Sequence, residues 1–318
     1  MTSARLLASA ALDATKLVVV GLLALVCATG AVLTDRFATL ANLANVVEQA
    51  AALGFVSLGQ TIVVLVGGID LSVGALVSAL SVLIGIGAQA YPEWAALVLA
   101  GAIAAGAAVG ALNAGAIILL RVHPLIVTLG TATILNGLTL MATRQPTGSV
   151  PEWVEDFAYG RVLGLPVAGV VMFACFALAG LGLSRHPGGR HIVAVGGNAE
   201  AARLTGLPVA ATLVAAYALS GCCAALAAIY YVARTGTGDP LVGEPLTLAS
   251  ITPVVVGGTI LGGGRGGVLG TLLGVFLLST LNNLLNYLGV STFLQWVVQG
   301  LIIIAAVSLH VGRRGRTT

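Results

Sequence analysis

The chain has 318 residues, of which 58% are hydrophobic and only 8% charged, and its mean hydropathy is +1.06. An ordinary soluble domain is about 25% charged, so a water-soluble globular fold is excluded and an integral membrane protein is the class that fits. The formal net charge of +3 is too slight to imply a nucleic-acid partner, and the placement of the charges carries more than their sum.

A spanning helix takes about 20 predominantly apolar residues. Ten apolar segments qualify or come close: 17–34, 43–66, 71–90, 95–120, 124–143, 162–183, 208–233, 246–262, 265–286 and 292–311. They predict an all-α polytopic membrane protein of about ten transmembrane helices, forming one transmembrane domain over residues 1–318. The first segment has the look of a signal peptide. Its length, the poor fit of Val26 before Cys27 to lipoprotein processing, and the spans that follow predict an uncleaved first helix. With the N-terminus inside, Arg5, Lys16, Arg121, Arg185, Arg190, Arg203, Arg265, Arg313, Arg314 and Arg316 fall inside, and only Arg36, Arg144, Arg161 and Arg234 fall outside. That bias satisfies the positive-inside rule, and an even span count puts the C-terminus in the cytoplasm as well. Asp35, Glu93, Glu152, Glu155, Asp156, Asp239 and Glu244 would all lie outside.

The second segment carries Asn45, Glu48 and Gln49 on neighbouring turns, with Gln60 further on, and ends in Val63-Val64-Leu65-Val66-Gly67-Gly68-Ile69-Asp70-Leu71-Ser72-Val73-Gly74. A carboxyl group inside such an apolar run costs about 2.5–3.5 kcal/mol on insertion scales and marks a functional site by default. The adjacent glycines let the helix break and its backbone approach neighbours closely. Asn113 and Asn136 follow singly. Residues 144–161 form an external loop with interfacial Trp153, Phe157 and Tyr159, and residues 184–207 the longest cytoplasmic loop. Within that loop, Asn198-Ala199-Glu200-Ala201-Ala202-Arg203-Leu204-Thr205-Gly206 reads as a short helix: Asn198 caps it, Glu200 sits in the first turn, and Gly206 stops it before Pro208. The segment is either a capped turn that tidies a loop or a helix whose small face, Ala201 and Ala202, enters a cleft on a partner, with Glu200 and Arg203 at the rim.

Further along, Val254-Val255-Val256-Gly257-Gly258 echoes Val64-Leu65-Val66-Gly67-Gly68, with chance recurrence in a Gly- and Val-rich chain equally open. Gly262, Gly266, Gly270 and Gly274 recur every fourth residue, and the last three would line one face of the ninth helix for close packing or hinge geometry. A phosphate loop is not indicated, because no Gly-Lys-Ser/Thr ending is present. The pairs Asn282/Asn286 and Gln295/Gln299 each share a helix face. Such intramembrane amides either bond neighbouring helices or line a polar path. Cys27, Cys175, Cys222 and Cys223 all lie in apolar runs and read as small buried hydrophobes. His123, His186, His191 and His310 are too scattered to hold a metal, and no hydrolase motif occurs, so neither catalytic nor metal-binding residues are expected.

Three of these stretches, Val-Gly-Gly-Ile-Asp-Leu-Ser at 66–72, Gly-Gly-Arg-His-Ile-Val-Ala-Val-Gly-Gly-Asn-Ala-Glu-Ala-Ala at 188–202, and Gly257 to Gly267, resemble in order the motifs of ribose-type sugar permeases of ABC importers. The resemblance runs from about residue 40 to 310. It implies the permease subunit of an ATP-driven monosaccharide importer in the bacterial cytoplasmic (inner) membrane. It also implies a second permease copy or a homologous permease, an ABC ATPase with two nucleotide-binding modules, and a periplasmic or surface-tethered sugar-binding protein. ATP and Mg would belong to the ATPase, with no cofactor on this chain. On this reading Asp70, Gly67, Gly68, Ser72, Asn136, Asn282 and Asn286 are candidates for the translocation path. Gly196, Gly197, Asn198, Glu200, Ala201, Ala202, Arg203 and Gly206 are candidates for ATPase coupling. Ile260, Gly262 and the stretch Pro245–Ile251 depart from the family's usual residues, which bears on the identity of the sugar. A permease of the sibling branched-chain amino-acid family shares the architecture, whereas an ion-coupled secondary transporter has no use for a coupling helix.

Overall fold

The computed structural model describes residues 2–314, so Arg316 and the C-terminal residue lie outside the described residues. Helix α1 (Thr2–Leu33) leads into α2 (Leu40–Leu65), α3 (Val73–Ala90), α4 (Ala95–Leu120) and α5 (Pro124–Ala142). A short helix α6 (Glu152–Tyr159) and a hairpin, β1 (Arg161–Val162) with β2 (Leu165–Pro166), precede α7 (Val167–Arg185). Then come α8 (Pro187–Gly197), α9 (Ala199–Leu204), α10 (Val209–Thr235), α11 (Leu246–Ala249), α12 (Ile251–Val256), α13 (Val268–Tyr287) and α14 (Thr292–Arg314). Among the described residues eight helices are long and apolar enough to cross a membrane, which makes this a multi-pass membrane protein.

Helix α2 is the central post. It is enclosed over most of its length, whereas α1, α4, α5 and α7 turn apolar faces outward. Thr39 starts it, its hydroxyl accepting the Asn42 N–H at 3.1 Å. Helix α10 packs against α4, α2 and α3, and α13 packs against α2. The α4–α10 crossing is close because a Cβ on either Gly106 or Gly221 would fall on the other's carbonyl oxygen. Backbones meet there as small residues allow in a bilayer, where packing rather than water drives association.

The segment expected as a single span at 246–262 is instead two short helices followed by a turn. Pro253 lacks the N–H that would bond the Ala249 carbonyl, and the helix is interrupted at Ser250 between α11 and α12. Leu246–Val256 as a helix is only about 16 Å long, half of the roughly 30 Å hydrocarbon thickness. The preceding residues make up the difference. The span pattern predicts an external loop there, but residues 238–247 lie along α3. Thr147 and Gly238 exchange backbone hydrogen bonds at 2.8 and 2.9 Å. Ser81 Oγ donates to the Asp239 carbonyl at 2.8 Å, and Gly243 N–H donates to Ser78 Oγ at 2.9 Å. Irregular backbone survives at membrane depth only when protein satisfies it, and these serines do so.

Two ends of the bundle are thereby defined. At one, Tyr159 Oη donates to the Arg234 carbonyl at 2.6 Å, Tyr230 Oη to the Glu48 carbonyl at 2.8 Å, and Asn42 and Asn283 form a reciprocal amide pair at 3.0 Å. This is the α6 end. At the other, the α9 end, Gly264 N–H donates to the Leu65 carbonyl at 2.9 Å. From Gly238 to Gly264 the chain passes from one end to the other.

The glycine echo has a structural counterpart, shifted by one residue from the sequence match. At α2, Gly67 N–H bonds the Val64 carbonyl and Gly68 N–H the Val63 carbonyl. At α12, Gly258 N–H bonds Val255 and Thr259 N–H bonds Val254. Both are Schellman caps with a left-handed glycine, φ +93 at Gly67 and +89 at Gly258. Gly257 therefore corresponds to Val66, and both capped helices run toward the α9 end.

Candidate functional site

Beyond the α2 cap the chain stays irregular until α3 begins at Val73, and Asp70 sits within that break, 1% exposed. Its Oδ1 accepts the Ser72 N–H at 3.0 Å and the Ser72 hydroxyl at 2.6 Å, and its Oδ2 accepts the Ser220 hydroxyl of α10 at 3.1 Å. Asn113 of α4 donates to Ser72 Oγ at 2.9 Å and accepts from Thr131 of α5 at 2.6 Å. The Ile69 carbonyl accepts from Tyr217 Oη and Thr128 Oγ1, both at 3.4 Å. Gln60, its amide oriented to satisfy both partners, donates to the Asp70 carbonyl at 3.1 Å and accepts the Asp70 N–H at 3.3 Å. Four helices thus converge on one irregular segment. Ser220 lies about 16 Å along α10 from its start, which puts the cluster well inside the bundle.

The carboxyl group is buried but fully partnered, the condition under which a polar group is tolerated at depth. Asp70, Ser72 and Gly68 are closed off from solvent in the single chain, and Gly67 is exposed. The structure does not bring Asn136, Asn282 or Asn286 to this cluster. Asn136 is exposed on α5, Asn282 is half-buried, and Asn286 accepts from Gln295 Nε2 at 2.7 Å. Asn282 lies about 21 Å along α13 from Val268, at the α6 end beside the Asn42–Asn283 pair. That pair went unnoticed in the sequence, as did Thr128, Thr131, Tyr217 and Ser220. Each of the last four belongs to an i,i+3 polar pair on a largely apolar helix, which is the signal available.

The second feature is α8–α9. Asn198 Oδ1 accepts the Ala201 N–H at 2.9 Å, and Gly206 closes α9 in a Schellman cap at φ +82. Glu200 and Arg203 pair at 2.8 Å on the surface. The expected small face is divided: Ala201 is exposed, but Ala202 is buried in a cluster that includes Leu65, Val66, Ile192 and Val195, because only one side of so short a helix can face its own chain. Leu204, 81% exposed, joins Ala201 on the open side. Helix α8 is unannounced by its glycine-rich sequence, and buried Ile192 and Val195 hold it.

The expected glycine face is also corrected. Gly262 and Gly266 precede α13, and only Gly270 and Gly274 lie on it. A Cβ at Gly270 would fall on the Gly257 carbonyl oxygen and one at Gly274 would lie 2.5 Å from that of Pro253, so these two seat α12 on α13. Gly266, at φ +136, instead turns the chain beside Thr259.

Comparison with known proteins decides the family. The family model described as branched-chain amino acid transport system / permease component matches residues 42–307. The chain belongs to this permease family. It is 39% identical over 282 residues to the ribose import permease protein RbsC of Bacillus subtilis, covering 87% of each chain. It is 34% identical over 288 residues to the D-allose transport system permease protein AlsC of Escherichia coli, covering 88% of this chain and 86% of the relative. The autoinducer 2 import system permease protein LsrD of Yersinia enterocolitica is 36% identical over 269 residues, covering 82% and 80%. No solved structure matches.

Proposed function

We propose that this permease is the membrane subunit of an ATP-driven ABC importer for a monosaccharide, in the bacterial inner membrane. The curated relatives named above import ribose, allose and autoinducer 2, which favours a sugar over a branched-chain amino acid despite the family model's description. Ten crossings with both termini cytoplasmic are the arrangement we favour. In that arrangement the passage of residues 236–257 would supply one crossing beyond the eight long helices, and α14 would supply another.

The observation that carries the reading is α9: a capped helix at one end of the bundle, presenting Glu200, Ala201, Arg203 and Leu204 outward. A separate ATPase with two nucleotide-binding modules would dock there and bind ATP and Mg. A second permease copy or a homologous permease would complete the path, and a periplasmic or surface-tethered binding protein would deliver the sugar. Exposed Asn136 and Asn286 are available to such a path, with Asn282 one turn from Asn286 on α13. Asp70 and Ser72 would act by holding the α2–α3 break, with Gly67 and Gly68 forming its turn. Nucleotide-driven closure of the ATPase then shifts the population between inward- and outward-open states.

Uptake of labelled ribose into vesicles containing the assembled transporter tests this reading. Vanadate should abolish uptake, and excess sugars should compete while leucine should not. Vanadate-resistant uptake driven by an ion gradient, or competition by leucine, would overturn it.

A further inference from the structure

We propose that the Gly263-Gly264 turn is a positioning element that ties α9 to the α2–α3 break, so that displacement of α9 reaches the Asp70 segment through backbone contact. The inference rests on the reading of α9 as the ATPase contact and adds the route by which docking is felt inside the bundle.

No slack separates α9 from α8. Asn198 ends α8, its N–H bonding the Ala194 carbonyl at 3.2 Å, and begins α9, its side chain capping Ala201. The last turn of α8 is in turn enclosed by two other segments. A Cβ at Gly196 would fall on the Leu65 carbonyl oxygen and lie 2.7 Å from the Gly264 nitrogen. A Cβ at Gly263 would lie 2.6 Å from the Gly196 carbonyl oxygen and 2.9 Å from the Gly67 Cα. One at Gly264 would lie 2.5 Å from the Gly197 Cα, and the Gly264 N–H already donates to Leu65. Three segments therefore meet backbone to backbone, with no side chain between them.

A side chain between two elements can absorb a shift by changing rotamer. Packed backbone has no such freedom, and close-packed interiors transmit displacement. On the far side of the contact, two residues beyond Gly67, the Ile69 carbonyl and Asp70 are held by Tyr217, Thr128 and Ser220. The two similar breaks, after α2 and after α12, thus meet each other and α8 at one point. Contact continuity is the physical basis of the proposal, and the coupling itself is what the experiment measures.

Gly264→Ala and Gly289→Ala form the test pair. Both glycines are left-handed, at φ +71 and +70, but a Cβ at Gly289 meets nothing within 4 Å. Backbone strain is common to both variants, and collision with Gly197 belongs to one. In the transporter assembled with its ATPase, Gly264→Ala should keep the ATPase bound and its basal hydrolysis within about twofold, while sugar uptake falls about tenfold or more. Gly289→Ala should retain uptake. Equal uptake in the two variants, or loss of bound ATPase together with uptake in Gly264→Ala, overturns the proposal. Hydrogen exchange in the unaltered transporter gives a second measurement independent of variant folding. Exchange of the Gly264 amide should change between nucleotide-free and vanadate-trapped states, and unchanged exchange contradicts the coupling. The docking reading itself fails separately, if Ala201→Arg keeps its ATPase.

Discussion

The two ends of α2 are held by different chemistry. At the α6 end Asn42 and Asn283 satisfy each other as neutral amides, with Tyr287 adding a bond at 3.2 Å to Asn42 Oδ1 and Phe37 stacked edge-on to Tyr287. Toward the α9 end the Asp70 carboxyl group, two side-chain amides and several hydroxyls, drawn from four helices and the break itself, fix a stretch with no regular structure of its own. The neutral pair joins two helices that would form anyway. The Asp70 network defines the shape of a break that has nothing else to define it, so removing one member frees a segment rather than loosening a contact. Breaks of this kind are where transporters place substrate sites and moving parts.

The largest effect is expected from Asp70→Ala. It leaves the Ser72 and Ser220 hydroxyls without their acceptor in a buried site, a loss of about 3 kcal/mol. Uptake should be abolished, and melting of the detergent-solubilised permease should fall with it. Normal uptake at normal expression would erase the distinction between the two ends. Thr131→Val removes only the donor to Asn113 and should cost about 1 kcal/mol, read as a small drop in melting temperature with uptake reduced several-fold. Asn283→Leu should cost about 1 kcal/mol or less, as interhelical hydrogen bonds in membranes do, and leave uptake near normal. If Asn283→Leu impairs uptake more than Thr131→Val, the α6 end carries the moving element instead.

The sequence makes some of this legible and hides the rest for identifiable reasons. Asp70 stands out because a carboxyl group in an apolar run has few excuses, and α9 stands out because Asn198, Glu200 and Gly206 mark both its ends. The members of the network on distant helices do not stand out: hydroxyls on apolar helices are many, and only the packing of α10 and α5 selects Ser220, which bonds Asp70, and Thr131, which bonds Asn113. Hydropathy is continuous across 246–262, so the half-length helices and the stretch along α3 are invisible to it, with Pro253 as the one local sign. Helix α8 goes unseen because Gly188, Gly189, Gly196 and Gly197 lower intrinsic helix propensity, which the burial of Ile192 and Val195 overrides. The glycines that matter most, Gly196 and Gly264, are legible as glycines, but their meeting point is not.

The most direct test concerns the α9 surface, from which the coupling account starts. Ala201 is exposed at the centre of that surface, whereas its neighbour Ala202 is buried, so a large charge at position 201 alters the outward face and spares the fold. Co-purification of the ATPase with Ala201→Arg permease, measured beside sugar uptake, should show normal expression with ATPase and uptake lost together. Retention of both the bound ATPase and the uptake would contradict the account.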